Sequence, residues 1–555
     1  MSFPSSFVRP AWKSLSRHLL FCGAALVFPI LWVKNILLFN RPQLWNDAFG
    51  QLWGAEQLIV EKTFPLAGNA AFWPLRLGPL AYLLTALPQF VKPGVLSSYV
   101  LIWSLYLLSV PLFYVAVWRF LGHRAAAFAA AFWFAITPNF KEPLLELTQN
   151  DSFLPVFLAF YSLLLLRRPQ KAALLPLYAV IGLAMQLHLT AVCLIPSTLI
   201  FLWQDRRTLA AQLPWHALGL LVVVFLHGTV MMDASALNPR ALAGASQSVV
   251  ENLRRFNWPL FSLSLRSAAW ICLPAIVATP TLFVAYATMN AAMKKLLPKL
   301  ALILGAQILA AAFFAALKSA GTEVPQCYFA VDTPFLGLLL AAAIAEAARL
   351  WRGRPKPAAR NWLAPLFPAA AVALVFATLA ARNGEARYRL DDADMLISNH
   401  VANAAAMDRW LRENRLPGVA QIVGYWFLED RHDEIYAIWP ANCDGSVYRT
   451  FSVYKTLFCL QHPRECPATG GETVFQLTFE FCDDAQQAAF VGAPDRVLAN
   501  PEQCTGPVPI AGRLISYFCR GPRDPTRPAA RVTKTHPRFR LGVELPCATP
   551  RGDAK

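Results

Sequence analysis

Charge is what this chain has least of. Asp, Glu, Lys and Arg make up 15% of its 555 residues, against roughly a quarter in soluble domains. With 56% hydrophobic residues, that balance excludes a single large water-soluble globule. Other absences narrow the chemistry. No glycine-rich phosphate loop, dinucleotide-binding glycine fingerprint or zinc-protease helix is present, so a nucleotide held by such a fold is not the expected substrate. None of the 11 cysteines forms a Cys-x-x-Cys, which argues against a zinc ribbon. No internal repeat of the kind common in transporters is visible. The first apolar stretch, from about His18 to Leu38, is too long for a signal peptide and is followed by no small-residue cleavage site. It reads as a retained span.

What the chain has in quantity is apolar runs long enough to cross a bilayer. They predict a mainly α, polytopic membrane protein with roughly eleven transmembrane helices. The expected spans are 17–38, 97–121, 124–140, 152–167, 172–187, 188–203, 215–232, 267–289, 299–318, 330–349 and 362–382. The net charge of +17 points to orientation rather than to nucleic acid. With Arg9, Lys13 and Arg17 in the cytoplasm, five later basic clusters fall on the same side, as the positive-inside rule expects. This requires two short helices turning at about Leu187-His188. The piece 77–91 holds two prolines and is expected to lie along the membrane surface. The membrane module is therefore read as 1–382, with a first outer loop at about 39–96.

Residues 383–555 differ in composition. They carry no spanning run and hold seven cysteines, from Cys443 to Cys547. Cysteine enrichment in one soluble region fits an oxidising compartment and disulfides, with pairings left open. Helical spacing over 396–414 and strand patterns at 419–427, 473–481 and 513–518 predict an extracytoplasmic α+β domain.

Polar groups at the outer ends of the spans need a reason to be there, because charge near a bilayer is costly. Asp47, in Trp45-Asn46-Asp47-Ala48-Phe49, falls just after the first span, where it reads either as a general base or as a wet loop acid. Gln186 and His188 interrupt a long apolar run; they are either helix–helix hydrogen-bonding residues or site residues. Asn150-Asp151 precedes a span and reads as a helix cap or a site acid. Arg254 and Arg255 could meet a lipid phosphate or bilayer headgroups. Arg76 and Lys318 fall on the same face, and Asp332, near Tyr328, reads as a cap or an ion-pair partner.

Four motifs together resemble the GT-C glycosyltransferases, in the branch that holds the protein O-mannosyltransferases and the bacterial lipid A aminoarabinose transferase. They are Trp45–Phe49, Gly78-Pro79-Leu80-Ala81-Tyr82-Leu83, Gly182–His188 leading to Pro196, and Cys327-Tyr328-Phe329 with Pro334. This sequence departs from the family pattern twice: Asn46 stands where the family has a first acid, and Cys327 where it has an arginine. The resemblance implies a polyprenyl-phosphate sugar donor, a lipid A, glycan or protein acceptor, and an inverting displacement at the periplasmic face of a bacterial inner membrane. Asp47 would be the base. His188, Arg76, Lys318, Arg254 and Arg255 would surround the donor phosphate, with Asn46, Gln186, Asp151 and Tyr328 nearby. No cofactor is assigned; with one acid instead of two, a bridging divalent metal is the weaker option. Expected partners are membrane lipids and the donor, not nucleic acid. Two alternatives stand beside the enzyme: a lipid-linked-sugar flippase, and a non-catalytic glycolipid-binding relative.

Overall fold

The computed structural model describes residues 18–34, 51–66, 70–72, 75–137, 140, 152–203, 206–231, 256–318 and 326–352. It also describes 406, 409, 413, 421–429, 435–437, 473–480, 504–511 and 514–520; Phe28, Trp32 and Trp53 are excepted. The fold is mostly helical. The chain forms two compact units: Met1–Phe39, Pro65–Tyr82 and Tyr99–Arg389 in the first, and Asn40–Phe64, Leu83–Ser98 and Leu390–Lys555 in the second.

The helices are α1 (His18–Leu31), α2 (Leu80–Ala86), α3 (Val95–Leu121), α4 (Arg124–Ile136), α5 (Leu154–Leu165) and α6 (Leu174–Leu187). They continue with α7 (Leu194–Leu202), α8 (Arg206–Met231), α9 (Trp258–Ile271), α10 (Leu273–Ala285), α11 (Ala291–Lys318) and α12 (Thr333–Arg352). Among the described residues, four segments are long and apolar enough to cross a bilayer: Leu96–Leu121, Ala210–Gly228, Ala291–Ala316 and Phe329–Leu350. The expected surface piece is only the seven residues of α2 and a four-residue 3-10 turn, Leu87–Phe90, too short to span.

Two expectations need adjusting. The predicted span 267–289 is instead two helices, α9 and α10, parted at Cys272. Pro274 lacks an N–H and sits in the first turn of α10, where a new helix tolerates it and a continuous one does not. The predicted span 188–203 begins with a 3-10 turn, Leu189–Cys193, before α7. The break expected at Leu187-His188 is present: His188 is extended, at φ −150° and ψ 128°. The span at 362–382 lies outside the described residues.

In the first unit, α12 is the most enclosed of the four long helices, with 83% of its window buried, while α8 has 22%. Leu221, Val224 and Phe225 of α8 accordingly point outward, as a lipid-facing surface would. α12 packs on α4 and α10, α8 on α6, and α9 on α11. Small residues let these helices approach closely. Gly337 of α12 faces the Phe113 ring, and a Cβ at Gly219 of α8 would overlap the Tyr178 ring. Buried side chains tie neighbours together. The Tyr161 hydroxyl meets Thr198 Oγ1 at 3.0 Å, Gln307 Nε2 donates to Ser197 Oγ at 2.9 Å, and the Tyr178 hydroxyl meets His216 Nδ1 at 2.8 Å.

A small antiparallel pair, β1 (Ala70–Phe72) and β2 (Leu75–Arg76), also belongs to this unit. The second unit contains a five-stranded sheet of β3 (Gln421–Glu429), β4 (Ile435–Ala437), β5 (Thr473–Glu480), β6 (Cys504–Ala511) and β7 (Leu514–Arg520). Its order is β4-β3-β5-β7-β6, with β3 and β5 parallel and the other pairs antiparallel. The strands overlap the three predicted from alternation. In β5, Phe475, Leu477 and Phe479 alternate with polar residues, and they pair with Cys519, Tyr517 and Ile515. Ile515 and Tyr517 on that face are buried, and so is Phe518 on the opposite face. The described residues of the predicted helix 396–414, namely Ala406, Arg409 and Glu413, are helical.

Two tests follow from this packing. Gly219→Val should lower stability by about 1–3 kcal/mol, because the added atoms meet a ring in a packed interface. Gly228→Ala, in the same helix with open space around it, should be neutral or raise stability by about 0.5–1 kcal/mol. Thermal unfolding in detergent compares the two. In the sheet, Cys504 pairs directly with Cys519, and opposed residues of antiparallel strands have Cα atoms roughly 4.5–5.5 Å apart, within the reach of a disulfide. Peptide mapping under non-reducing conditions should recover a 504–519 link; two free thiols there would count against it.

Candidate functional site

The break between α6 and α7 is where the sequence motifs first meet. A long apolar helix stops at Leu187, and the backbone N–H groups of the following turn need partners. His188 supplies one. Its Nδ1 accepts the Thr190 backbone N–H at 3.3 Å and lies 2.6 Å from Thr190 Oγ1. A backbone N–H can only donate, so this contact suits the tautomer in which Nδ1 accepts and the ring proton sits on Nε2. The ring is buried, at 8% exposure. In that tautomer the opposite edge is an N–H donor, a group whose chemistry suits an anionic oxygen.

Gln186, two residues earlier, holds the break in place. Its Nε2 donates to the Leu226 carbonyl of α8, a helix–helix tether of the kind that takes the place of water inside a bilayer. Gly78 lies against the same side chain: a Cβ there would overlap Cγ, Cδ and Oε1 of Gln186. The Gly78-Pro79-Leu80 motif therefore needs its glycine for close approach, and it buttresses the end of α6 that presents His188.

The third motif arrives at the same place. The 3-10 turn Gln326–Asp332 packs on the 3-10 turn Leu189–Cys193, on α5 and on α11. Tyr328 lies in this turn. Lys318 is the last residue of α11, which packs on both turns. Arg76 ends β2 and pairs with Ala70. The structure thus gathers the turns that carry His188 and Tyr328, the Gln186 anchor and Gly78. Asn46, Asp47, Asp151, Arg254 and Arg255 lie outside the described residues.

Asp332 behaves differently from its sequence reading. Among the described residues it neither caps nor pairs. Its side chain is fully buried, and neither carboxylate oxygen has a hydrogen-bond partner. The signal in the sequence was an acid within an apolar stretch ahead of Thr333-Pro334, which resembles an ordinary helix cap. Among the described residues, no group of three or more His, Cys, Asp or Glu is arranged to hold a metal.

Residues 80–230 match the family described as dolichyl-phosphate-mannose-protein mannosyltransferase. The matched segment is a little over a quarter of the chain. It runs from α2 to α8 and includes Gln186 and His188. Two solved structures are similar in outline: ArnT from Cupriavidus metallidurans bound to undecaprenyl phosphate, and the same protein in the apo state. The first is 14% identical over 90% of this chain and 97% of that chain, with a TM-score of 0.49. The second is 12% identical over 88% and 97%, with a TM-score of 0.45. No curated protein matches this chain in sequence.

The contact between Gly78 and Gln186 gives a specific expectation. Gly78→Ala should cost about 1–3 kcal/mol through overpacking. In a Gln186→Ala background the same change should be close to neutral, because the atoms it strikes are gone. A double-mutant cycle on thermal stability reads this coupling directly.

Proposed function

We propose that this protein transfers a sugar from a polyprenyl-phosphate donor to a lipid, glycan or protein acceptor at the periplasmic face of a bacterial inner membrane. The observation that carries the reading is the glycosyltransferase-family match over 80–230, within which His188 is held as an Nε2–H donor by Thr190. The matched family is named for a lipid-phosphate sugar donor and a protein acceptor. A phosphate leaving group gains negative charge as the glycosidic bond breaks, and fixed donors aimed at it lower the barrier.

In the proposed reaction the Asp47 carboxylate removes the acceptor hydroxyl proton. The oxygen attacks the anomeric carbon from the face opposite the phosphate, and polyprenyl phosphate leaves with inversion at that carbon. His188 donates to the departing phosphate. Arg76, Lys318, Arg254 and Arg255 supply positive charge around it. Gln186 positions His188 rather than touching the donor. The region after 383 is proposed to help select the acceptor.

The test is transfer by purified protein in lipid, with labelled polyprenyl-phosphate sugars and an envelope acceptor fraction. Asp47→Ala should reduce turnover by about a hundredfold or more, the usual scale of general-base loss. His188→Ala should reduce it by about tenfold or more through a lost charge-assisted hydrogen bond. Full activity in Asp47→Ala would move the base elsewhere. Lipid-sugar translocation without transfer by the native protein would favour a flippase instead.

A further inference from the structure

An ionised carboxylate with no partner inside a helical bundle costs several kcal/mol, so a protein that keeps one buried has a use for it or a proton on it. Asp332 is fully buried, and both its oxygens lack hydrogen-bond partners. Local structure does not explain it. An Asp just before a helix ordinarily accepts from the N–H groups of the first turn. Here the 3-10 turn Gln326–Asp332 runs into α12 without a break, so its own bonds engage those groups. Pro334, next in that turn, has no N–H to offer. Nor, among the described residues, does an ion pair explain it.

Its position is informative. Asp332 closes the turn that carries Tyr328, and that turn packs on Leu189–Cys193, the turn opened by His188. Two 3-10 segments therefore lie together at the end of the first unit where the motifs gather. Such segments hold their hydrogen bonds less well than α-helix and often mark hinges.

Resting on the function proposed above, we infer that Asp332 is a sugar-recognition residue: a carboxylate that accepts hydrogen bonds from hydroxyl or amino groups on the ring of the lipid-linked donor. A sugar ring presents several donors at fixed spacing, and a carboxylate with two unoccupied oxygens is an acceptor of matching chemistry. The ionised phosphate end of the donor has no hydrogen to offer an acceptor, so this residue reads the sugar and not the lipid phosphate.

The test separates these ends of the donor. Full-length protein in lipid nanodiscs is titrated with bare polyprenyl phosphate and with a panel of polyprenyl-phosphate hexoses and pentoses. The native protein should prefer at least one sugar-bearing lipid over the bare one. Asp332→Asn and Asp332→Leu should lose that preference by about ten- to a hundredfold while binding the bare lipid within about twofold of native. Asp332→Leu should also melt at the same or a higher temperature, since a buried acid without a partner is replaced by an apolar group. A native preference kept intact in both variants overturns the inference and leaves the proposed function standing. Equal weakening for bare and sugar-bearing lipids, with a lower melting temperature, assigns Asp332 to structure and also overturns it. If the native protein binds none of these lipids, the proposed function itself fails, and the inference with it.

Discussion

A helix end buried in protein has no water to bond, and that constraint shapes this molecule. Where a helix is interrupted inside packed protein, its freed N–H and C=O groups must find partners there. The chain is interrupted at His188 and again through Gln326–Asp332, and the two interruptions pack on each other. At the first, the imbalance is resolved by the His188 ring, which serves the Thr190 N–H. At the second, a continuous 3-10 to α transition resolves the backbone and leaves the Asp332 carboxylate without a partner. The chemistry of the region follows from these two different solutions.

Much of the helical layout was legible in the sequence because hydropathy reports length directly. The runs at 97–121, 299–318 and 330–349 became α3, α11 and α12 with modest shifts at their ends. Period-two alternation similarly placed β5 and β7. What hydropathy does not report is a hydrogen-bond break within an apolar run. Cys272-Leu273-Pro274 looks continuous by composition, yet it is a helix boundary, because the missing proline N–H acts locally and independently of hydrophobicity. The break at His188 was readable only because two polar residues fell together there.

The site was legible in part, and for a related reason. Gln186 and His188 stood out as polar residues in an apolar run, but sequence alone could not separate their roles. The structure does: Gln186 spends its amide on the Leu226 carbonyl of α8, while His188 turns one nitrogen to its own backbone and fixes the proton on the other. Gly78 was read as part of a surface helix motif, and its packing against Gln186 could not be foreseen, since the contact joins positions 108 residues apart. Asp332 was misread because an acid before Thr-Pro matches a helix cap in sequence, and only the hydrogen-bond pattern reveals that no N–H is left for it to cap.

These positions form a mechanical series. Gly78 sets how close its strand-to-helix turn comes to α6; Gln186 fixes the end of α6 to α8; that anchor sets where His188 departs from the helix; and Thr190 sets which nitrogen of His188 carries the proton. An error at the start of the series is passed on as a displaced hydrogen-bond donor, because an imidazole donor acts only within a narrow range of distance and angle. Asp332 lies on the turn facing this series but takes no hydrogen bond from it. The fold therefore separates a donor group anchored by hydrogen bonds from a buried acceptor that has none among the described residues. That division suits a site in which one element must be fixed in advance of the reaction and the other must adapt to the group it receives.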